Sequence, residues 1–200
     1  TLGADLSLGG PGRIEVASGK TLTYSGASLS LGVNTLTLGG AGTLLNTDAL
    51  ILGDASSLLR LSGTNTISGP VSLDAGLIDV DESVTLSGDL SLGGATKIDL
   101  ALGKTFTYSG SALTIGTNTL SLNGSGTLSN ANSLKLTDKY SVLKLAGTNV
   151  ISGPIELRAG KLKADNSSVL SGPLTLGGLS DIDNSTIEVA NDKTLSYSGP

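Results

Sequence analysis

The chain of 200 residues contains no cysteine, histidine, methionine or tryptophan, and its only aromatic residues are one phenylalanine and four tyrosines. Without cysteine there is no disulfide framework and no thiol nucleophile, and without histidine a serine nucleophile lacks its usual base. The aromatic residues are too few to form a stacking platform for nucleic-acid bases. We also find no apolar run long enough to cross a bilayer, no signal sequence and no lipidation motif. These absences disfavour catalysis, nucleic-acid binding and membrane insertion.

What the chain has in abundance is an internal repeat. Comparison of residues 1–84 with residues 85–168 gives 46 identities in 84 positions, concentrated in Leu, Gly, Asn, Thr and Ser. Each copy contains about twelve short segments in which apolar and polar residues alternate between Gly, Asn, Asp or Pro residues, which is the pattern of a half-buried strand. A regular repeat of strands indicates a solenoid.

Every third candidate strand aligns with the next at intervals of roughly 20 residues, a period typical of stacked repeats. The sequence therefore predicts an all-β fold, a parallel β-solenoid (β-helix) with three strands in each turn of about 21 residues and four turns in each 84-residue superrepeat. One turn cannot bury its own Leu residues, but turns stacked about 4.8 Å apart form a continuous apolar column. Three columns are predicted: Leu6/Leu8, Leu29/Leu31, Leu50/Leu52, Val71/Leu73 and Leu90/Leu92; Ile14/Val16, Leu36/Leu38, Leu59/Leu61, Ile78/Val80 and Ile98/Leu100; and Leu22/Tyr24, Leu44/Asn46, Asn65/Ile67, Val84/Leu86 and Phe106/Tyr108.

The even periodicity predicts a single β-solenoid domain over residues 1–200, with repeat copies at 1–84 and 85–168 and a partial copy at 169–200. The chain begins at Thr1 and ends inside a further copy of the repeat, so we interpret it as a processed chain or as part of a longer chain or filament. A solenoid end without a cap exposes strand edges and an open core. We therefore expect end-to-end self-association or continuation of the same solenoid.

Charge is distributed unevenly along the repeat. The net charge of −5 divides into −5 for copy one, +3 for copy two and −3 for the remainder. Basic residues concentrate in one short stretch of copy two, which makes them candidates for contact with an acidic polysaccharide or another polyanion; solvated outward positions that changed between the copies are the simpler explanation. These residues are Lys135, Lys139, Lys144, Arg158, Lys161 and Lys163.

Two groups of carboxylates need consideration as sites, Asp79, Asp81 and Glu82 in copy one and the Asp181/Asp183 pair in the third copy. An Asp-x-Asp pair in a strand places both carboxylates on one outward face, where they suit Ca²⁺ or an acid/base pair. However, copy two has Lys163 and Asn166 at the positions of Asp79 and Glu82, so the first group is not part of the repeat. We expect no catalytic residue, no cofactor and no metal.

The third copy carries five extra residues within 179–192, which predict a loop or an added strand segment. Insertions of this kind often lie on a binding face of a solenoid, and a tolerated surface loop is the simpler alternative. Threonine pairs such as Thr21/Thr23, Thr35/Thr37 and Thr105/Thr107 are expected to point outward. Flat Thr-x-Thr ladders on solenoids can bind ice, but neighbouring turns do not repeat the pair in the predicted columns, so the sequence does not favour this function.

Asparagines recur at fixed positions of the repeat, and we assign them a structural role. Stacked asparagine side chains can form hydrogen bonds along the axis of stacked strands. Four lie at strand starts and two at inward positions: Asn34, Asn65, Asn118 and Asn149, and Asn46 and Asn130.

The segment from Leu59 to Gly76 carries a family resemblance. Its pattern Leu-x-Leu-x-Gly-x-Asn-Thr-x-x-Gly followed by Ala-Gly, present as Leu59, Leu61, Gly63, Asn65, Thr66, Gly69, Ala75 and Gly76, resembles the β-strand repeat of autotransporter passenger domains and related bacterial surface adhesins. Copy two matches through Leu143, Leu145, Gly147, Asn149, Gly153, Ala159 and Gly160. What the resemblance implies is a right-handed β-helix located outside the cell or on its surface.

These observations predict a non-enzymatic extracellular structural β-solenoid, either a filament subunit or the shaft of an adhesin on a bacterial cell surface. The alternative is a glycan- or polyanion-binding module of a secreted adhesin, whose partner would be a glycan or a host or cell surface. A polysaccharide-active β-helix enzyme is the second alternative, and it would depend on carboxylates such as Asp79 and Asp81.

Overall fold

The computed structural model describes residues 1–177 and 185–200, and every regular element in these ranges is a β-strand. No helix in this part of the chain is long and apolar enough to cross a membrane. The strands are short because a Gly, Asn, Asp or Pro corner interrupts the alternating pattern every few residues. They are β1 (Gly12–Val16), β2 (Thr21–Tyr24), β3 (Leu29–Ser30), β4 (Thr35–Gly40), β5 (Thr43–Asn46), β6 (Leu50–Leu52), β7 (Leu58–Leu61), β8 (Thr66–Ile67), β9 (Val71–Leu73), β10 (Leu77–Val80), β11 (Val84–Leu86), β12 (Leu90–Leu92), β13 (Ala95–Leu100), β14 (Thr105–Tyr108), β15 (Leu113–Thr114), β16 (Thr119–Gly124), β17 (Thr127–Asn130), β18 (Leu134–Leu136), β19 (Val142–Leu145), β20 (Val150–Ile151), β21 (Ile155–Leu157), β22 (Gly160–Ala164), β23 (Ser168–Leu170), β24 (Leu174–Leu176), β25 (Ser185–Val189) and β26 (Leu195–Tyr197).

The strands form the three faces of a parallel β-solenoid, which confirms the predicted fold class. The first face is a nine-stranded sheet that contains every third strand from β1 to β25, and the second is a nine-stranded sheet that contains every third strand from β2 to β26. The third face consists of two four-stranded sheets, β3–β6–β9–β12 and β15–β18–β21–β24. All pairings between these strands are parallel, and the stack has about eight turns, which we call rungs.

The rungs are not all of the same length. The number of residues between a strand position and its partner in the next rung varies. It is among the smallest from Leu58 to Leu77 and largest from Ser168 to Leu195. Two steps of the predicted columns are displaced by two residues: Ile14 lies opposite Leu38 instead of Leu36, and Leu44 lies opposite Ile67 instead of Asn65. A shift of two keeps every side chain on its own side of the sheet, because side chains alternate with period two.

The displacement accumulates over a full superrepeat. On the first face, the residues that stack in one column are Ile14, Leu38, Leu61, Val80 and Leu100. The repeat in the sequence equates Ile14 with Ile98, so the column has advanced by two residues after four rungs. The second face behaves in the same way, since its column runs Leu22, Leu44, Ile67, Leu86 and Tyr108, although Leu22 corresponds to Phe106 in the repeat.

The core is the predicted axial column of Leu, Ile and Val side chains. Most inward residues between β3 and β23 are almost completely buried, and Phe106 and Tyr108 are the largest of them. At the corner after the second face, neighbouring rungs approach so closely that only glycine fits. A Cβ atom on Gly69 or Gly153 would overlap the backbone carbonyl oxygen of Asn46 or Asn130. This contact explains why the glycine of Ser-Gly-Pro recurs in both copies.

The third face is interrupted between β12 and β15, and side chains replace the missing ladder. The Leu90 N–H donates to the hydroxyl of Tyr108 at 3.2 Å, and the Ser111 N–H donates to the carboxylate of Asp89 at 2.8 Å. The first rung repeats the arrangement, with the Leu6 N–H on the Tyr24 hydroxyl at 3.0 Å. Residues 6–8 belong to no strand. The prediction of a strand at Leu6/Leu8, the start of the first column, was therefore wrong.

Candidate functional site

The outward sides of the first two faces differ sharply in chemistry. The first face carries charged side chains on most of its strands, and we call it the charged face. Its outward charges are Arg13, Glu15, Arg60, Asp79, Lys97, Asp99, Lys144, Lys161, Lys163 and Glu188. The nine strands of the second face contain no Asp, Glu, Lys or Arg, and we call it the hydroxyl face.

The structure separates the six basic residues that the sequence grouped as a polyanion contact. Lys144, Lys161 and Lys163 lie together on the charged face, in the adjacent strands β19 and β22. Lys135 lies on β18 of the third face, with Arg158 just after β21. The sixth residue, Lys139, lies in the connection after β18, with its Nζ atom 5.0 Å from the centre of the Tyr140 ring. The stretch that holds all six covers more than one rung, so closeness in sequence does not put them on one side.

Five of these six basic groups lie within 4 Å of a carboxylate. Asp165 contacts Lys144 and Lys163, each at 3.0 Å, and the hydrogen bond from Lys144 is the main reason that the pKa of Asp165 is lowered. Glu156 contacts Lys135 at 3.6 Å and Arg158 at 3.1 Å. The fifth pair is Lys161 with Glu188, at 2.5 Å. A polyanion would have to compete with these carboxylates, and polyanion binding stays a prediction.

The acidic group of copy one is also ion-paired. Arg60 contacts Asp79 at 2.9 Å and Asp81 at 3.3 Å, while Lys104 contacts Glu82 at 2.6 Å. In the described ranges no three His, Cys, Asp or Glu side chains are placed to hold a metal ion. The other predicted pair, Asp181 and Asp183, lies outside the described residues.

Asp99 has a different environment from the paired carboxylates. It lies directly beside Asp79 in the parallel ladder between β10 and β13. Burial raises the pKa of Asp99, and the negative charges of Asp79 and Asp81 raise it further. Like charges opposite each other in a sheet are destabilising. This pair is therefore a point of electrostatic strain on the charged face.

The hydroxyl face contains a ladder of threonines that sequence reasoning missed. Hydroxyl side chains occupy the same outward column on six consecutive rungs: Thr21, Thr43, Thr66, Thr85, Thr107 and Ser129. The predicted columns hid this ladder because they placed Thr66 opposite Leu45, whereas the displaced register places it opposite Thr43. The pair Thr35/Thr37, in contrast, lies in β4 on the charged face.

A second outward column lies beside the first on the later rungs. It consists of Thr105, Thr127, Val150, Val169 and Ser196. Thr105 and Thr107 share one rung, and Thr127 and Ser129 share the next. The outward side of this face is therefore made of hydroxyl groups, methyl groups and the single larger apolar side chain of Leu45.

The six asparagines each bond across a rung boundary, and their partners are backbone carbonyls. The four at strand starts donate to the preceding rung: Asn34 to Leu8, Asn65 to Gly39, Asn118 to Leu92 and Asn149 to Asn123, at 2.8 to 2.9 Å. The two inward ones donate to the following rung, Asn46 to Pro70 at 2.8 Å and Asn130 to Pro154 at 2.9 Å. These side chains fix the spacing of neighbouring rungs at the corners.

The insertion predicted in residues 179–192 lies partly outside the described residues, which resume at Ser185. Ser185–Val189 forms β25, which pairs with β22 and extends the charged face. The apolar side chains of the last strands are partly exposed, with Leu176 at 57%, Ile187 at 41% and Val189 at 43%. At the opposite end, Leu2, Leu6, Ile14 and Leu22 line an apolar cavity.

The fold and these surfaces define the class of protein as a three-sided parallel β-solenoid with chemically distinct faces. No protein-family model matches the chain, and neither curated proteins nor solved structures gave a match.

Proposed function

We propose that this protein is a non-enzymatic structural β-solenoid that works outside the cell, as the shaft of a bacterial surface adhesin or as a filament subunit. The observation that carries the proposal is the continuity of the scaffold. Two faces have unbroken ladders of nine strands each, and the apolar core follows them from rung to rung. In such a stack each rung stabilises its neighbours, so the same unit extends a rod without a change of fold.

The division between inside and outside supports the same function. Most inward positions hold Leu, Ile or Val in both copies, whereas many outward positions vary, as with Asp79 in copy one and Lys163 in copy two. A scaffold of this kind can change its surface without loss of its core. The resemblance of the Leu59–Gly76 segment to adhesin repeats supports a location on the cell surface.

The last rungs favour end-to-end association with a further solenoid rung. The exposed side chains of Leu176, Ile187 and Val189 belong to β24 and β25, the last strands of their sheets within the described residues. A following rung, from the same chain or from a second copy, would cover these apolar groups and pair the free strand edge. Burial of apolar surface contributes roughly 25 cal/mol for each Å².

Small-angle X-ray scattering and electron microscopy of the purified chain test this proposal. Eight rungs at about 4.8 Å predict a rod about 40 Å long. The filament form predicts that particle length grows with protein concentration, and the shaft form predicts rods of constant length. A compact, near-spherical particle would contradict both forms. Immunogold labelling of intact producing cells checks the location, and label confined to the cell interior would contradict it.

A further inference from the structure

The hydroxyl face is distinguished by side-chain hydroxyl groups that are available to form hydrogen bonds with a ligand. Thr96 and Thr148, elsewhere on the chain, use their hydroxyls in hydrogen bonds to other residues. Within residues 1–177 and 185–200, the hydroxyls of the six-rung column have no such partner. They belong to strands without any charged residue, next to a face that carries ten charges. The column is therefore a neutral surface with free donors and acceptors.

The backbone fixes the spacing of these hydroxyls. Side chains in one column are separated by the distance between strands, about 4.8 Å, and side chains two residues apart in one strand by about 7 Å. Thr105, Thr107, Thr127 and Ser129 form such a two-by-two array on adjacent rungs. On the earlier rungs a single column of Thr21, Thr43, Thr66 and Thr85 leads into this array. Together they form a two-dimensional grid of hydroxyl and methyl groups.

The grid is also rigid before any ligand arrives. Threonine is β-branched and has few χ1 rotamers, so its hydroxyl and methyl positions are restricted. From β5 to β17, the strands that carry it pair with a neighbouring strand on both sides, and the packed core lies beneath them. A preorganised surface loses little conformational entropy on binding. Such a surface suits a ligand that is itself a regular lattice.

We propose that the hydroxyl face binds ice. An ice surface is neutral and presents donors and acceptors at regular intervals, which free hydroxyls on a fixed grid can meet. Each threonine also presents a methyl group, and apolar groups restrict the orientational freedom of the water beside them. The charged face does not have this property, because ammonium and carboxylate groups hold strongly oriented hydration shells of their own. This function is independent of the structural role proposed above, since a rod without an affinity for ice would still be a rod.

Partition of fluorescently labelled protein into a slowly growing ice crystal tests the proposal. We expect the chain of residues 1–200 to be incorporated into the ice. Thr85→Lys places a charge in the middle of the threonine column, and we expect it to abolish the incorporation. Thr66→Lys, one rung away, should cause the same loss. Thr114→Lys is the matched control, because Thr114 is an outward, exposed threonine on the third face, and it should be incorporated like the original chain.

Several results would overturn the proposal. One is exclusion of the original chain from ice. Another is incorporation of Thr85→Lys and Thr66→Lys at the level of the original chain, since the binding surface would then lie elsewhere. Binding to crystalline cellulose or chitin without incorporation into ice would assign the face to a polysaccharide. Circular dichroism melting curves show whether each variant is folded, and a loss counts only for a variant that melts like the Thr114→Lys control.

Discussion

The hydroxyl of Tyr108 accepts a hydrogen bond of 3.2 Å from the backbone N–H of Leu90. In the preceding rung the equivalent N–H, that of Val71, donates to the carbonyl oxygen of Asp89 in the next rung, at 2.8 Å. Tyr108 thus supplies from a side chain the acceptor that the interrupted ladder lacks. Gly110, two residues later, packs against the tyrosine ring, where a Cβ atom would be too close. This contact gives the Tyr-Ser-Gly motif of each copy a structural meaning.

The first prediction concerns this hydrogen bond. Tyr108→Phe keeps the buried ring but leaves the Leu90 N–H without its acceptor, and we expect a loss of about 1–3 kcal/mol in the free energy of unfolding. Urea titration followed by circular dichroism measures the loss. Tyr140→Phe is the control, because Tyr140 is 62% exposed, and it should leave stability unchanged. Equal stability of the two variants would contradict the assigned role.

The second prediction concerns the close contact of rungs at the corner. Gly153→Ala would place a methyl group against the carbonyl of Asn130, so one rung must shift, with an expected cost of about 1–3 kcal/mol. Gly10→Ala is the matched control, since a Cβ atom there has no neighbour within 4 Å. The midpoints of urea denaturation compare the two. Similar midpoints would show that the corner is not tightly packed.

The third prediction concerns the pH dependence of stability at Asp99. Because its pKa is raised in the folded protein, the folded state favours the neutral carboxyl, and this contribution to stability is lost as pH rises through the folded pKa. Asp99→Asn should therefore melt higher than the original chain at pH 7. Below the unfolded pKa, near pH 3, the two should melt alike. A lower melting temperature for Asp99→Asn at pH 7 would contradict the prediction.

Asp165 is the counterpart of Asp99, because its pKa is shifted in the opposite direction and its effect on stability has the opposite sign. Its pKa is lowered by hydrogen bonds from Lys144 and then Lys163, so its contribution is present above the unfolded pKa and is lost as pH falls through the folded pKa. Asp165→Asn should melt lower than the original chain at pH 7. The difference should shrink in acid. If both asparagine variants shifted in the same direction, the change of side chain and not the charge would be responsible.

The fourth prediction tests the polyanion contact. If Lys144 and Lys163 form the binding surface, the chain should be retained on immobilised heparin at low salt, and retention should weaken as salt rises. The double variant Lys144→Gln/Lys163→Gln should elute at lower salt than the original chain. Lys20→Gln, an exposed change in copy one, should elute with the original chain. Absence of any salt-sensitive retention would remove this function.

The fold could be predicted from the sequence because alternation with period two and the 84-residue repeat both report directly on stacked strands. The register could not, because a displacement by two residues leaves every apolar side chain inward and changes no pattern. That displacement at the step from Leu44 to Ile67 also hid the threonine column. The role of Tyr108 was equally hidden, since an aromatic residue in a strand looks the same whether or not its hydroxyl completes a ladder.

Surface sites were harder to predict than the core. Lys135 and Lys144 are close in sequence but lie on different faces, because each corner turns the chain to a new side. Their carboxylate partners come from later rungs, Glu156 and Asp165, and no local pattern links them. Only the register of the ladder brings such residues together.

The two-residue advance of the columns on the first two faces in each superrepeat gives these two faces a slant. Ile14 stacks in line with Leu100, not with its sequence equivalent Ile98, and Ile98 likewise stacks in line with Val189 through Leu122, Leu145 and Ala164. Corresponding side chains of successive copies therefore follow an oblique stripe that drifts sideways by about 7 Å per copy. A long array with this step would display each feature of the repeat along a gentle spiral. Charged residues of the same sign at corresponding positions of adjacent copies would then be offset from one another and would not stack in one column.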